Sequence, residues 1–140
     1  MELPYMDTVY IAFGLFLLVT AYNYLRPTVS RNYTSLDSAE AHERIEKGDN
    51  MYLIDVRTKE EYRKEHIRGA KNVPLDDLDN RVGSLPHNKD ILVYCQTGGR
   101  SVRAIRKLEL AGFTRLFHMH QGMRGWKKEG YATAKTGKPA

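Results

Sequence analysis

The only cysteine of the chain, Cys95, lies where a strand-like run ends and a glycine-containing loop begins. The residues that follow it are Gln96, Thr97, Gly98, Gly99, Arg100 and Ser101, and after them the pattern is typical of a helix. Backbone N–H groups in such a loop, together with the positive end of the helix dipole, favour negative charge at the loop centre. The same field favours a thiolate over a thiol, so we expect Cys95 to have a depressed pKa and to act as a nucleophile.

Two glycines and an arginine give this loop its expected character. Gly98 and Gly99 can adopt backbone dihedral angles that other residues resist, so successive N–H groups can point inward as a cradle. Arg100 adds a permanent positive charge at the rim of the loop. The sequence therefore predicts a site where a charged sulfur is solvated by amides.

Two chemistries use a thiolate in a loop of this design, and the loop length discriminates between them. One is hydrolysis of a phosphate ester through a phosphocysteine, and the other is transfer of sulfane sulfur through a persulfide. Cysteine-dependent phosphatases place five residues between the cysteine and the arginine, whereas four lie between Cys95 and Arg100. A loop one residue shorter encloses a smaller group, such as the outer sulfur of a persulfide.

The elements that must position this loop alternate between strand-like and helix-like patterns. Strands are predicted at Met51–Val56, around Asn72 and Val73, at Asp90–Cys95 and at Arg115–Met119. Helices are predicted from Ser38 to a stop at Gly48, after a capping-box pattern at Thr58 and Glu61, at Ser101–Ala111, and as a closing turn at Gly122–Gly130. This alternation indicates an α/β fold with a mainly parallel sheet covered on both faces. Ligands of such folds bind beyond the carboxyl ends of the strands, where Cys95 lies.

Other polar residues near the strand ends are interpreted as structural. Asp55 and Arg57 end a strand near the edge of the sheet where Cys95 is expected. We expect Arg57 to form an ion pair with Glu61 rather than to take part in catalysis. We expect His66 to order a loop rather than to transfer protons.

His118 and His120 are two residues apart on a predicted strand, so they share a face. This spacing hints at a metal, but a third ligand is lacking nearby, so no metal site is predicted. Trp126 is interpreted as a core anchor. The thiol chemistry needs no cofactor.

An apolar run near the N-terminus, Val9–Tyr22, contains no charge and a single threonine. Extended to Thr8–Leu25, it would form a helix of roughly 27 Å, which nearly matches a hydrocarbon core of about 30 Å. Tyrosines lie near its two ends, where aromatic belts belong, at Tyr5, Tyr10, Tyr22 and Tyr24. A signal peptide usually starts with positive charge, whereas Glu2 and Asp7 are acidic. An uncleaved membrane anchor is favoured over a signal peptide and over an interfacial helix.

The charges that flank this run predict its orientation. Arg26 and Arg31 follow it, and no lysine or arginine precedes it. The positive-inside rule then places the N-terminus outside the cell membrane and the rest of the chain in the cytoplasm, as a single-pass protein. A reducing cytoplasm suits a lone reactive thiol.

The composition is that of an ordinary globular protein of one domain with a short appendage. The chain has 140 residues, of which 41% are hydrophobic and 28% charged, and its net charge is +5. One cysteine excludes an intramolecular disulfide framework and structural zinc sites built on several cysteines. No basic run is interleaved with aromatic residues, so nucleic acid is not expected as a partner.

The chain resembles the rhodanese family of sulfurtransferases from about Ser35 to Tyr131. The matching pieces occur in the family's order and read LIDVRTKEEYRKEHIRGAKNVP, VYCQTGGRS and GMRGWKKEGY. The chain departs from the family pattern at Glu65 before His66, at Gln121 before Gly122 and at Ala132 after Tyr131, where glycine, glycine and proline are usual. We expect none of these departures to touch the active loop.

The resemblance implies a central parallel sheet flanked by helices, with Cys95 as the persulfide carrier and the backbone of Gln96 to Arg100 as its cradle. The Cys95 thiolate would take sulfane sulfur from a small anionic donor such as thiosulfate. It would then pass the sulfur to cyanide in an assay, or to a protein or small thiol in the cell. Arg100 is expected to attract the donor. The competing functions are a membrane-tethered binding module without catalysis and a cysteine-dependent phosphatase or arsenate reductase.

The expected domain layout combines the anchor with this resemblance. Residues 1–26 are the membrane anchor, with the transmembrane part at about 8–25, and residues 27–34 are a linker. Residues 35–133 form the rhodanese domain, and residues 134–140 are a loose tail.

Overall fold

The structure is a computed structural model that describes residues 5–25 and 32–137. The chain divides into two compact units, residues 1–31 and residues 32–140. In the first unit, helix α1 spans Tyr5–Leu25, and none of its described side chains is buried. By length and composition, α1 is long and apolar enough to cross a membrane. The predicted apolar helix is confirmed, while Arg26 and Arg31, on which the predicted orientation depends, lie outside the described residues.

The second unit is built on a parallel sheet of five strands, which confirms the predicted α/β fold. In spatial order these are β1 (Tyr33–Leu36), β6 (Leu116–Met119), β5 (Asp90–Tyr94), β2 (Met51–Asp55) and β4 (Lys71–Asn72). Each of the four strand pairings within the sheet is parallel. Strand β5 lies in the middle, so the residue that follows it, Cys95, emerges at the centre of the carboxyl edge.

Helices connect the strands, and their starts follow from local sequence. They are α2 (Ser38–Glu46), α3 (Lys59–Lys64), α4 (Leu78–Arg81), α5 (Gly99–Leu110) and α6 (Gly122–Lys128). Short 3₁₀ turns at Leu75–Asp77 and Val82–Ser84 flank α4. Thr58 and Glu61 form the predicted capping box of α3, and Asp37 with Glu40 forms another at α2.

Successive residues of the central strands point to opposite faces of the sheet and so fill two cores. Val93 and Cys95 belong to the core beneath α5, with Ala104, Ile105 and Leu108 of that helix. Leu92 and Tyr94 belong to the other core, with Met123 and Trp126 of α6. The strands are apolar on successive residues because both faces of the sheet are covered.

Three short strands were not predicted. Strand β1 begins at Tyr33, inside the segment assigned to the linker; the linker residues 27–31 lie outside the described residues. Strands β3 (His66–Ile67) and β7 (Thr133–Ala134) form a separate antiparallel pair, so the expected loose tail begins with a paired residue. Tail residue Thr136 also donates its backbone N–H to the carbonyl of Arg63. These strands carry too few residues for a periodic pattern to reveal them.

Candidate active site

The thiol of Cys95 lies at the start of the loop between β5 and α5. The residue is only 1% exposed. The backbone N–H of Gly98 donates a hydrogen bond to Sγ over 3.1 Å. The structure therefore places the sulfur against the amides of the loop, where a negative charge is stabilised.

The two loop glycines have different roles. Gly98 has φ +103°, a left-handed conformation that side-chain-bearing residues rarely adopt. A Cβ on Gly98 would also collide with the carbonyl oxygen of His120. Gly99 is instead the first residue of α5, does not have a positive φ, and would meet nothing within 4 Å if it carried a Cβ. Of the two glycines, only Gly98 therefore uses the conformational freedom that glycine allows.

Ser101, which was not predicted as a site residue, contacts the sulfur from the first turn of α5. Its Oγ lies 3.4 Å from Sγ of Cys95, 3.0 Å from the carbonyl oxygen of Gly98 and 2.7 Å from Nε2 of His118. Ser101 is fully buried and His118 is 6% exposed. Cys95, Ser101 and His118 therefore form a hydrogen-bonded chain that is shielded from water.

The hydroxyl of Ser101 has one proton, so the three contacts cannot all receive it. Burial lowers the pKa of His118, and the nearby charge of His120 lowers it further, so the ring of His118 is neutral near pH 7. When the hydroxyl donates to the sulfur, its lone pair accepts the proton of His118 Nε2–H. With this tautomer of His118, the serine proton can go either to the thiolate or to the carbonyl oxygen of Gly98.

The pKa of Cys95 is lowered, in agreement with the prediction from the sequence. Burial of the thiol raises the pKa, because the thiolate loses contact with water. Hydrogen bonds from the hydroxyl of Ser101 and from the amides of Ser101, Gly98 and Thr97 act in the opposite direction and outweigh burial. The site therefore favours a thiolate without a neighbouring cation in contact with the sulfur.

Arg100 is engaged in an ion pair at the rim of the loop. Its Nη1 and Nη2 donate to the two carboxylate oxygens of Glu61 over 2.7 and 2.9 Å. The guanidinium, with help from the N–H and hydroxyl of Thr58 and against the effect of burial, holds the pKa of Glu61 at about 2. Much of the positive charge expected at the rim is thus neutralised by Glu61.

The predicted ion pair between Arg57 and Glu61 is wrong, because Arg57 pairs with Asp55. Arg57 Nη2 lies 2.7 Å from Oδ2 of Asp55, and both side chains are buried. The guanidinium also donates to Oε1 of Gln96 over 3.3 Å and to the carbonyl oxygen of Glu65 over 2.6 Å. Arg57 therefore ties the end of β2 to Gln96, the loop residue after Cys95.

The start of α6 is bonded directly to the loop. The N–H groups of Met123 and Arg124 donate to the carbonyl oxygens of Cys95 and Gln96 over 2.9 and 3.1 Å. Gly122 has φ +60°, and a Cβ on it would collide with the carbonyl oxygen of Cys95 and lie 2.6 Å from that of Gln96. The glycine allows α6 to approach the loop closely enough to hold its backbone.

The histidines considered in the sequence have other contacts. His66 stacks on the ring of Tyr62, with centroids 3.8 Å apart, and its Nδ1 lies 2.7 Å from the carbonyl oxygen of Tyr62. His118 faces Ser101, whereas Nδ1 of His120 lies 3.1 Å from Oγ of Ser35. Within residues 5–25 and 32–137, no group of three or more histidine, cysteine or acidic side chains is placed to hold a metal ion.

Trp126 and the three departures from the family pattern also have defined contacts. Trp126 is a buried core residue, and its Nε1–H donates to the carbonyl oxygen of Ala132 over 3.0 Å. Glu65 pairs with Lys127 and accepts from the hydroxyl of Thr133. Gln121 accepts hydrogen bonds from the N–H and the hydroxyl of Ser38. It also lines a cavity that the loop residue Thr97 lines.

The family model described as Rhodanese-like domain matches residues 37–129. A thiosulfate sulfurtransferase of Arabidopsis thaliana is 35% identical over 116 residues, which cover 74% of this chain and 95% of that protein. A sulfurtransferase of Allochromatium vinosum is 27% identical over 68% of this chain and 89% of that protein. Other curated relatives are longer, and the chain spans 45% of a Bacillus subtilis relative and 52% of a Synechocystis relative.

Solved structures show the same likeness. The crystal structure of a rhodanese-related protein from Thermoplasma volcanium has a TM-score of 0.67 at 27% identity, covering 73% of this chain and 98% of that one. The solution structure of a rhodanese-like domain from Anabaena sp. has a TM-score of 0.67 at 30% identity, covering 72% and 78%.

Proposed function

Because the chain belongs to the rhodanese-like domain family, we propose that it moves sulfane sulfur as a persulfide on Cys95. The observation that carries this proposal is the environment of the sulfur. Amides of the loop and the hydroxyl of Ser101 lower the pKa of a buried thiol that begins a four-residue loop before Arg100. Such a site stabilises a negatively charged sulfur, and a persulfide carries that charge on its outer atom.

The reaction has two steps. The Cys95 thiolate attacks the outer sulfur of thiosulfate, a bond forms between the two sulfurs, and sulfite leaves with the electron pair of the broken S–S bond. An acceptor then attacks the outer sulfur of the persulfide, takes it, and regenerates the thiolate. With cyanide the product is thiocyanate, and with a thiolate it is a new persulfide. Two-step covalent catalysis of this kind gives ping-pong kinetics.

We also propose that α1 tethers this activity to the cell membrane, with the sulfur-transferring unit on the cytoplasmic side. The proposal is supported by the length and apolar composition of Tyr5–Leu25 and by the arginines that follow it at positions 26 and 31. A cytoplasmic location would give the persulfide access to low-molecular-weight and protein thiols as acceptors.

The test of the proposed function is intact mass spectrometry of the full chain in detergent after exposure to thiosulfate. We expect a gain of one sulfur atom, its absence in Cys95→Ser, and its loss on addition of cyanide with formation of thiocyanate. If a folded chain takes no sulfur from thiosulfate, thiosulfate is excluded as its sulfur donor. Failure with other sulfane donors as well would overturn the proposal and favour the non-catalytic binding module. Hydrolysis of an aryl phosphate dependent on Cys95 would favour the phosphatase instead.

A further inference from the structure

A cavity of about 340 Å³ lies beside the Cys95 loop, on the side of β6 and α6. One of its lining residues, Thr97, belongs to the loop. The backbone amide of Thr97 also stabilises the Cys95 thiolate. Its volume lies in the range of small-molecule sites. The lining residues are Thr97, His120, Gln121, Arg124, Gly125 and Lys128.

The cavity has a positive lining. Arg124 and Lys128 are four residues apart on α6, so they lie on one face of the helix, and both are exposed. Neither forms an ion pair with an acidic side chain of the described part of the chain, whereas the adjacent Lys127 pairs with Glu65 at 2.7 Å. The imidazole of His120 also lines the cavity.

The two arginines bonded to the loop region, Arg100 and Arg57, attract an anion less strongly because both are paired with carboxylates. Arg100, which the sequence analysis expected to draw in an anionic donor, is held by both carboxylate oxygens of Glu61. Arg57 is held by the carboxylate of Asp55. Arg57 and Arg100 are thus paired with carboxylates, whereas no ion pair is formed by Arg124 or Lys128 within residues 32–137.

We propose that this cavity binds the anionic group of the small sulfur compound that exchanges sulfur with Cys95. The group is the sulfonate-like end of thiosulfate or a carboxylate of a low-molecular-weight thiol. The inference rests on the proposed function and deepens it, because it assigns Arg124 and Lys128 as binding residues for the anion. A small ligand is favoured over an acidic protein because the positive groups line a concavity rather than a flat surface.

The first test is direct binding, because it does not depend on turnover. Thiosulfate and glutathione are titrated separately into the full-length Cys95→Ser chain in detergent by calorimetry. The same titrations are made with Arg124→Gln and Lys128→Gln added to that chain. We expect the Kd of at least one anion to rise about tenfold, which corresponds to about 1.4 kcal/mol. The compound whose Kd rises identifies the source of the anionic group.

The matched control removes the same charge from another exposed surface. Arg103 and Arg106 lie on α5, are exposed, and do not line the cavity. Arg103→Gln with Arg106→Gln should leave both Kd values within about twofold, since exposed charges at a distance are screened by salt. An equal loss in this control, or no binding of either compound to the parent Cys95→Ser chain, overturns the inference.

Kinetics separate this inference from the proposed function. In the chain with Cys95 intact, Arg124→Gln with Lys128→Gln should raise the KM for the bound compound about tenfold and change kcat less than twofold, because binding and not chemistry is affected. Persulfide formation with an unchanged KM would overturn the cavity as the anion site while the proposed function stands. Absence of the persulfide in the unaltered chain would overturn the proposed function, and the calorimetric result would then decide on the cavity alone.

Discussion

The sulfur of Cys95 is stabilised mainly by groups that follow it within six residues. The amides of Thr97, Gly98 and Ser101 and the hydroxyl of Ser101 offset the cost of burying the thiolate. His118, on β6, contacts the hydroxyl of Ser101 rather than the sulfur of Cys95. At the scale of single residues, Ser101 is the side chain whose loss should change the thiol most directly.

Ser101→Ala should raise the pKa of Cys95, because it removes a hydrogen bond to a charged group, which contributes about 1.5 kcal/mol or more. The thiolate would then form only at higher pH. The measurement is the pH dependence of thiolate absorbance near 240 nm, taken as the difference from the Cys95→Ser chain.

Ser84→Ala is the matched control for this prediction. Ser84 is exposed in a 3₁₀ turn, and its hydroxyl donates only to the carbonyl oxygen of Arg81 over 2.7 Å. The control should leave the thiol pKa unchanged. A Ser101→Ala chain that titrates like the parent would show that the amides alone stabilise the thiolate.

At the scale of elements, α3 and α5 are linked by the ion pair of Glu61 and Arg100. The pKa of Glu61 is held at about 2, below its usual value of 4.5. A depressed carboxyl pKa contributes stability above the unfolded-state pKa, and that contribution is lost as the pH falls through the folded-state pKa. The contribution of this pair is therefore full above about pH 5 and declines from there towards pH 2.

Glu61→Gln should remove this contribution while the amide side chain keeps an acceptor for the capping box at Thr58. The loss of unfolding free energy should be at most about 1 kcal/mol at pH 7, because both side chains are about one third exposed and the pair is screened. Urea unfolding of both proteins between pH 3 and 7 should give a difference that shrinks below pH 4.5. A difference independent of pH would assign the loss to the cap rather than to the charge.

Gly122→Ala should displace the start of α6 from the Cys95 loop. The added methyl would collide with the carbonyl oxygen of Cys95, and the residue would keep a positive φ. Gly130→Ala is the matched control, because Gly130 also has a positive φ, at +76°, but has open space around it.

The backbone conformation alone should cost about 1–2 kcal/mol in either variant, and the collision should add about 1–3 kcal/mol in Gly122→Ala. Urea unfolding measures both losses, and mass spectrometry measures persulfide formation. We expect Gly122→Ala to lose persulfide formation and Gly130→Ala to keep it. Equal behaviour of the two variants would show that the close approach of α6 does not position the loop.

At the scale of the whole molecule, the chain joins an apolar helix to a unit with its own two cores. The full chain should remain with the membrane fraction after extraction at alkaline pH, because burial of about 20 apolar residues in hydrocarbon does not depend on charges that alkaline pH removes. A fragment that begins at Asn32 should be recovered in the soluble fraction. Release of the full chain by alkaline extraction would contradict the proposed tether.

Features whose physical causes are local could be read from the sequence. The capping box of α3 needs only Thr58 and Glu61, three residues apart. The apolar strands β2 and β5 and the amphipathic α5 follow from periodicity, and they place Cys95 at the carboxyl edge of a parallel sheet. The depressed pKa of Cys95 could also be predicted, because its donors all lie within six residues of it along the chain. The resemblance to the rhodanese family, based on three motifs in the family's order, predicted in addition that Cys95 carries the persulfide.

Contacts between distant segments were decided by the tertiary structure. Pairing of β5 with β6 brings His118 to Ser101 across 17 residues. Pairing of β5 with β2 puts the starts of α5 and α3 at one edge of the sheet, where Arg100 meets Glu61 across 39 residues. Arg57 pairs with Asp55 rather than with the predicted partner Glu61, because the buried carboxylate of Asp55 lies beside its guanidinium. Sequence spacing shows which residues share a strand or helix face, but not which elements become neighbours. The partners of ionic and hydroxyl groups at this site, and the cations left unpaired beside it, depend on that arrangement.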